Sequence, residues 1–385
     1  MALIHGTCDG RFERVREAFA DNFEKHGDIG AAAAVTVDGR MVVDLWGGYA
    51  DKARVRPWSR DTIVNVYSAT KGFAATCVNR LADQGLIELD APVARYWPEF
   101  AQAGKTRLPV RFILSHRAGL PAIRKTLEQD ALLKWDLMTG ALAAEEPWWE
   151  PGTRHGYHAL TLGYLLGEIV RRVTGKTIGA YCREEIAGPL GLDFHIGLEP
   201  KHDSRCAEVI AAPPPPSGQP NPLAANDNPE SITMKAINNP PGALRLSSVN
   251  SRQWRAAEIP AANGHTNARA MARFYAALAC GGELEGIRVM SPAQVQRCYE
   301  EQSYGPDAVM YGLPSRFGLG YRLSHAAARY GPNPHTFGHT GAGGSLGIAD
   351  PDARISFGYT MNQMGTHMFV DPRVAALLDA VYGSL

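Results

Sequence analysis

The chain predicts a mixed α/β (α+β) fold, an antiparallel sheet flanked by helices with a mainly helical unit inserted into it. Three observations carry this. Extended runs cluster at the two ends of the 385-residue chain. Helical periodicities fill the stretch between them. Asp38-Gly39, set between two apolar runs, is a strong hairpin signature and makes the strands on either side antiparallel.

The elements follow in order. Residues 11–25 put Val15, Phe19 and Phe23 on one face of a helix. Ala32 to Val37 and Arg40 to Trp46 are the hairpin strands. The β-branched run from Thr62 to Tyr67 leads into a helix over 69–83, where Phe73, Ala74, Cys77, Val78, Leu81 and Ala82 recur at helical spacing. Gly85 ends that helix, and Leu86 to Asp90 reads as extended. Helices are expected over 109–116, 127–143 and 160–174, the last ending at Gly175. Strands return at 317–323, 335–341, 346–349 and 354–361, and Val374 to Tyr382 is a closing helix. This order divides the chain into a sheet domain from 1–75 and 255–385 and a mainly helical domain over 76–254, with the active site in the cleft between them. The Pro-rich run over 211–222 is either a stiff linker or a loop over that cleft.

Ser68-Ala69-Thr70-Lys71 carries the chemistry. A serine and a lysine three residues apart share one helical face. A serine hydroxyl is a poor nucleophile until a base takes its proton, and a lysine shifted toward its neutral amine is such a base. The spacing also puts Ser68 at a helix N-terminus, where unpaired N–H groups favour an anion. Two further pieces lie downstream. Tyr157 follows Pro151-Gly152 on a loop just before a helix, and Phe337-Gly338-His339-Thr340-Gly341-Ala342 reads as a strand passing into a glycine-rich turn.

Taken together and in this order, the chain resembles the class C β-lactamase-like serine hydrolases, and within them the family VIII carboxylesterases. Ser68-Ala69-Thr70-Lys71 matches the first motif and Tyr157 the tyrosine of the second. His339-Thr340-Gly341 falls where the family has Lys-Thr-Gly or Trp-x-Gly. Phe112 to Pro121 and Tyr359 to Asn362 also match family segments. The resemblance implies the class C β-lactamase-like fold and catalysis by Ser68, Lys71 and Tyr157. It also implies an oxyanion and substrate site made by the Ser68 and Ala342 N–H groups beside His339 and Gly341.

The expected reaction is acyl transfer through Ser68, with one proton shared among Ser68, Lys71 and Tyr157. A Lys71 ammonium beside Tyr157 would lower the phenol's pKa. Two departures from β-lactamases point away from penicillins and toward uncharged short- and medium-chain esters. Tyr157-His158-Ala159 lacks the amide of Tyr-x-Asn, and His339 replaces a fixed cation. The other readings are a β-lactamase, D-Ala-D-Ala peptidase or transacylase, and a non-catalytic sensor built on the same fold.

Composition bounds the rest. The 39 basic and 39 acidic side chains cancel, which leaves no electrostatic footprint for nucleic acid or an anionic membrane. No run of about 18 uninterrupted apolar residues exists to span a bilayer. The first ten residues lack a secretory pattern, and the six scattered cysteines suit free thiols in a reducing cytoplasm. The expected partner is a small-molecule ester, and no cofactor or metal is implied. His335 and His339 have ligand spacing but read as strand, without the Glu of H-E-x-x-H. Gly343-Gly344-Ser345-Leu346-Gly347 spells G-x-S-x-G, yet a Pro-containing turn follows where that motif requires a helix.

Overall fold

The computed structural model describes residues 3–213, 228–367 and 369–385. Most of the Pro-rich run, from residue 214 on, lies outside the described residues. A nine-stranded antiparallel sheet organises the fold. From edge to edge it runs Ile4–Cys8, Arg40–Gly48, Gly30–Val37, Ile355–Met361, Leu346–Asp350, Phe337–Thr340, Arg322–Leu323, Pro314–Phe317 and Ser303–Pro306. The hairpin turn has Asp38 at φ 49° and Gly39 at φ 78°, the left-handed pair whose twist matches the strands it joins.

Strand alternation gives the sheet two apolar faces. Ala31, Ala33 and Val35 pack with Ile355, Phe357 and Tyr359 under helices Glu13–Lys25 and Pro372–Tyr382. The opposite face takes helix Ala268–Ala279, capped by the Asn267 side chain on the Ala270 N–H. That helix lies very close because the cross-strand pair Gly347 and Gly358 has no side chains there. A Cβ on Gly347 would meet Tyr275 at 2.3 Å, and one on Gly358 would meet the Ala268 carbonyl at 2.4 Å.

Helices Thr70–Asp83, Trp135–Ala144 and Thr161–Thr174 form the helical part. Helix Thr161–Thr174 buries Leu162, Leu165, Leu166, Ile169 and Val170, each worth about 1.5–3 kcal/mol relative to exposure. Gly175 closes it at φ 71°.

Some expectations fail. Residues 86–90 form turns rather than a strand, because the chain folds back to present the Glu88 N–H to the Tyr96 hydroxyl. Only Val64–Asn65 of the run before Ser68 is a strand, in a small sheet with His265–Thr266 and Phe194–His195. The 317–323 strand is broken at Gly318 to Gly320, where Phe317 turns to pair with Arg322.

Candidate active site

Ser68 sits in the turn that enters helix Thr70–Asp83. The residue before it, Tyr67, has φ 45°, a left-handed conformation that costs a β-carbon-bearing residue energy. Thr70 holds it there. Its N–H and hydroxyl both donate to the Tyr67 carbonyl, and its Oγ1 accepts from the Gly264 N–H at 2.8 Å. The strained turn leaves the Ser68 side chain partly exposed among buried neighbours.

Lys71, on the first turn of the helix, is fully buried. Its Nζ lies 3.0 Å from Ser68 Oγ, 2.7 Å from the Ala159 carbonyl and 2.9 Å from the Ala261 carbonyl. No carboxylate pairs with it among the described residues. Burial, reinforced by the Arg322 charge, holds its pKa well below the usual lysine range. As a neutral amine, Lys71 gives its two N–H groups to the two carbonyls and turns its lone pair to the Ser68 hydroxyl.

Tyr157 is brought over this pair by a pinned loop. Its N–H donates to Asp307 Oδ1 at 3.0 Å, the Gly156 N–H donates to the His116 carbonyl, and the His158 N–H donates to His116 Nδ1. Lys71 Nζ lies 4.8 Å from the centre of the Tyr157 ring. The expected lowering of the phenol pKa does not occur. Burial raises it, and the opposing pull comes from the Arg322 charge and from polar contact with Ser68 and Arg322. A lysine this deeply buried favours its neutral form and so offers the phenol little charge.

His339 is buried on strand Phe337–Thr340, its ring 6.1 Å from that of Tyr157. Burial and the Arg322 and Lys71 charges push its pKa well down, so it is neutral. Its Nδ1 donates to the Thr340 carbonyl at 2.7 Å, leaving Nε2 as a bare acceptor without a partner among the described residues. With its only ring proton spent on Thr340, neutral His339 can accept a hydrogen bond at Nε2 but cannot donate one. His116 and His158 are held neutral by burial as well, His158 with a pKa lowered to about 3.

The glycine-rich turn meets the nucleophile from the far side. Gly341 packs on the segment before Ser68, and a Cβ there would stand 2.1 Å from the Val66 carbonyl oxygen. Neither the Ser68 nor the Ala342 N–H donates to an acceptor among the described residues. Arg373 braces this turn from below. It donates to the Gly343 carbonyl at 2.7 Å and is itself held by Asp28 and Asp371. Burial raises the Asp28 pKa to about 6 despite that cation.

Sequence reading missed Arg322. It lies on the strand beside Phe337–Thr340, paired with Gly338, and is 4% exposed. Its signal was a lone charge inside the apolar run Leu319-Gly320-Tyr321-Arg322-Leu323. It sets a permanent cation 4.8 Å from the centre of the Tyr157 ring. Asp307 and His116 were missed too, because only the folded loops bring them to Tyr157. Arg171 and Arg172, on the outer side of their helix, both pair with the buried Glu168.

The other sequence candidates fall away from the chemistry. Ser345 is fully buried and enters strand Leu346–Asp350, with a turn rather than a helix behind it. His335 is turned to Asp352, apart from the buried His339. Among the described residues no His, Cys, Asp and Glu cluster is arranged to hold a metal, and no helix is long and apolar enough to cross a membrane.

A family model described as Beta-lactamase matches residues 15–382. The "Esterase/beta-lactamase LipL" of Mycobacterium tuberculosis is 40% identical over 372 residues, covering 94% of this chain and 83% of that protein. A crystal structure of a family VIII carboxylesterase superimposes with a TM-score of 0.92 at 43% identity, covering 100% of both chains. A penicillin-binding protein homologue from Caulobacter crescentus superimposes with a TM-score of 0.90 at 40% identity, again covering 100% of both chains.

Proposed function

Because the chain belongs to the beta-lactamase family, we propose that it is a carboxylesterase that cleaves short- to medium-chain carboxylic esters through an acyl-enzyme on Ser68. The 3.0 Å approach of a fully buried Lys71 Nζ to Ser68 Oγ carries this reading. Lys71 takes the Ser68 proton as Oγ attacks the ester carbonyl carbon. The oxyanion forms between the Ser68 and Ala342 N–H groups. Tyr157, kept protonated by burial, gives its proton to the leaving alkoxide and regains one from the Lys71 ammonium. A water then enters, loses its proton to the same base and releases the acid from Ser68.

The acyl-chain preference draws on an apolar wall beside Tyr157, made by Ala122, Val309 and Phe317 with Trp148 packed against them. The six unpaired cysteines fit a reducing cytoplasm. A second reading, β-lactam hydrolysis, is favoured by Arg322, which offers a β-lactam carboxylate the cation that His339 does not.

The test is p-nitrophenyl butyrate hydrolysis by wild type, Ser68→Ala and Ser345→Ala, each checked for folding, with a chromogenic cephalosporin alongside. Loss of about 10⁴-fold or more in kcat only for Ser68→Ala is expected. Loss only for Ser345→Ala would overturn the mechanism. A cephalosporin rate matching the ester rate would promote the second reading.

A further inference from the structure

Two residues from separate elements take three successive backbone N–H groups around Tyr157. The Gly156 N–H donates to the His116 carbonyl at 3.1 Å, the Tyr157 N–H to Asp307 Oδ1 at 3.0 Å and the His158 N–H to His116 Nδ1 at 3.0 Å. Asp307 follows the edge strand Ser303–Pro306 of the sheet, and His116 follows helix Val110–Leu114.

His116 is held in a strained form. Its φ is 60°, a left-handed conformation that costs a residue with a β-carbon energy. Its carbonyl and its ring both grip the 156–158 loop. Because Nδ1 accepts a backbone N–H, the ring is the neutral tautomer with its proton on Nε2. The ring centre also lies 5.1 Å from that of Tyr157, so the residue that holds the backbone packs against the phenol as well. His158 locks the loop from within, its Nδ1 donating to the Gly156 carbonyl and its Nε2 accepting the Leu120 N–H.

Asp307 is fully buried, and no cation pairs with it among the described residues. Its Oδ1 accepts the N–H groups of Tyr157, Val309 and Met310, while Oδ2 is buried without a hydrogen-bond partner. A clasp needs one acceptor oxygen, which an amide would supply without a buried charge, and an unpaired buried carboxylate is costly. The charge has a use beside Tyr157. Burial keeps the phenol protonated, the Arg322 charge pulls the other way, and the Asp307 charge supports the protonated form. Burial holds the other titratable groups around the phenol, Lys71, His116 and His339, toward their neutral forms.

We propose that Asp307 and His116 are positioning residues that present Tyr157 as the general acid, which extends the reaction to esters of unactivated aliphatic alcohols. This rests on the esterase reading above and names the alcohol side of its substrate. As the carbon–oxygen bond of the tetrahedral intermediate breaks, the Tyr157 O–H proton passes to the leaving oxygen. The alcohol departs with that proton, and the phenolate regains one from the Lys71 ammonium. A p-nitrophenolate leaves without this help, so an acid held in place matters most for the poorest leaving groups.

The experiment measures kcat/KM, by pH-stat titration, for the butyrate esters of p-nitrophenol, phenol, trifluoroethanol and ethanol. In wild type the value should depend only weakly on the acidity of the leaving alcohol. In Asp307→Ala and in His116→Ala the ratio of the ethyl to the p-nitrophenyl value should fall by about tenfold or more. His116→Asn, which tolerates the left-handed backbone and puts an amide oxygen in the place of Nδ1, should restore the ratio. Asp307→Asn keeps the acceptor oxygen and drops the charge, so its ethyl-ester activity should be lost at lower pH than in wild type as the phenol gives up its proton. An unmoved alkaline limb would overturn the role of the charge. A purely structural role for the two residues would lower all four esters together and leave the ratio unchanged, which would overturn the proposal. So would a wild type whose kcat/KM collapses as the leaving alcohol becomes less acidic, a result that needs no variant to fold. A Tyr157→Phe that keeps the wild-type ratio would overturn the acid role of Tyr157 itself, and failure to cleave even p-nitrophenyl butyrate would overturn the esterase reading.

Discussion

Lys71 Nζ stands 3.0 Å from Ser68 Oγ while the carbonyls of Ala159 and Ala261 occupy its other two hydrogen-bonding directions. A neutral amine has two protons and one lone pair, so these three partners suit the base form and aim its lone pair at the nucleophile. The ammonium is also accommodated, with its third proton on Ser68 Oγ. The site can thus carry the proton between steps without moving a heavy atom, which is the preorganisation an acyl-transfer base needs.

The pH dependence follows from the two shifted groups. Lys71 must be neutral to act, so activity is lost as pH falls through its pKa, which burial and Arg322 hold well below the usual lysine range. Tyr157 must keep its proton, and burial raises its pKa above the usual value. The account predicts that kcat/KM is on its plateau at mildly alkaline pH, with the acidic limb well below pH ~10. Arg322→Gln removes a charge that disfavours the ammonium, so it should move the acidic limb to higher pH. A wild-type profile rising only near the ordinary lysine pKa would contradict the assignment of Lys71 as base.

Gly341→Ala tests the approach of the glycine-rich turn. The new Cβ would begin 2.1 Å from the Val66 carbonyl oxygen, and both groups belong to backbone that is packed on either side. Either the turn or the segment before Ser68 must shift, which separates the two proposed oxyanion donors. The expected result is a loss of about 10²–10³-fold in kcat and a stability cost of about 1–3 kcal/mol, read by steady-state kinetics and thermal unfolding. Unchanged kcat in a folded variant would mean that this turn takes no part in catalysis.

The sheet, the hairpin and the helix behind Ser68 were legible because local signals agree with the tertiary result. Asp38-Gly39 requires a left-handed turn, Gly175 requires a left-handed helix end, and both are found. Ser68 and Lys71 were legible because one helical turn holds them, and Tyr157 because a Pro-Gly turn sets it off. Arg322 was not legible as a site residue. It belongs to a two-residue strand paired with near neighbours in the chain, Phe317 and Gly338, while Tyr157 reaches it from far upstream on a loop tied to Asp307. The proton on His339 was hidden for a different reason, since only the Thr340 carbonyl at 2.7 Å decides which ring nitrogen bears it. Residues 86–90 have strand composition, but the Leu86 and Ile87 N–H groups turn back to the Leu81 carbonyl instead of joining a strand.

The central claim is that Ser68 is the nucleophile, and covalent labelling tests it most directly. The folded wild-type protein would be treated with a fluorophosphonate, digested, and mapped by mass spectrometry. The account predicts a single stoichiometric adduct on the peptide that carries Ser68, abolished in Ser68→Ala and retained in Ser345→Ala. An adduct on Ser345, or full ester hydrolysis by a protein that carries no adduct on Ser68, would contradict it.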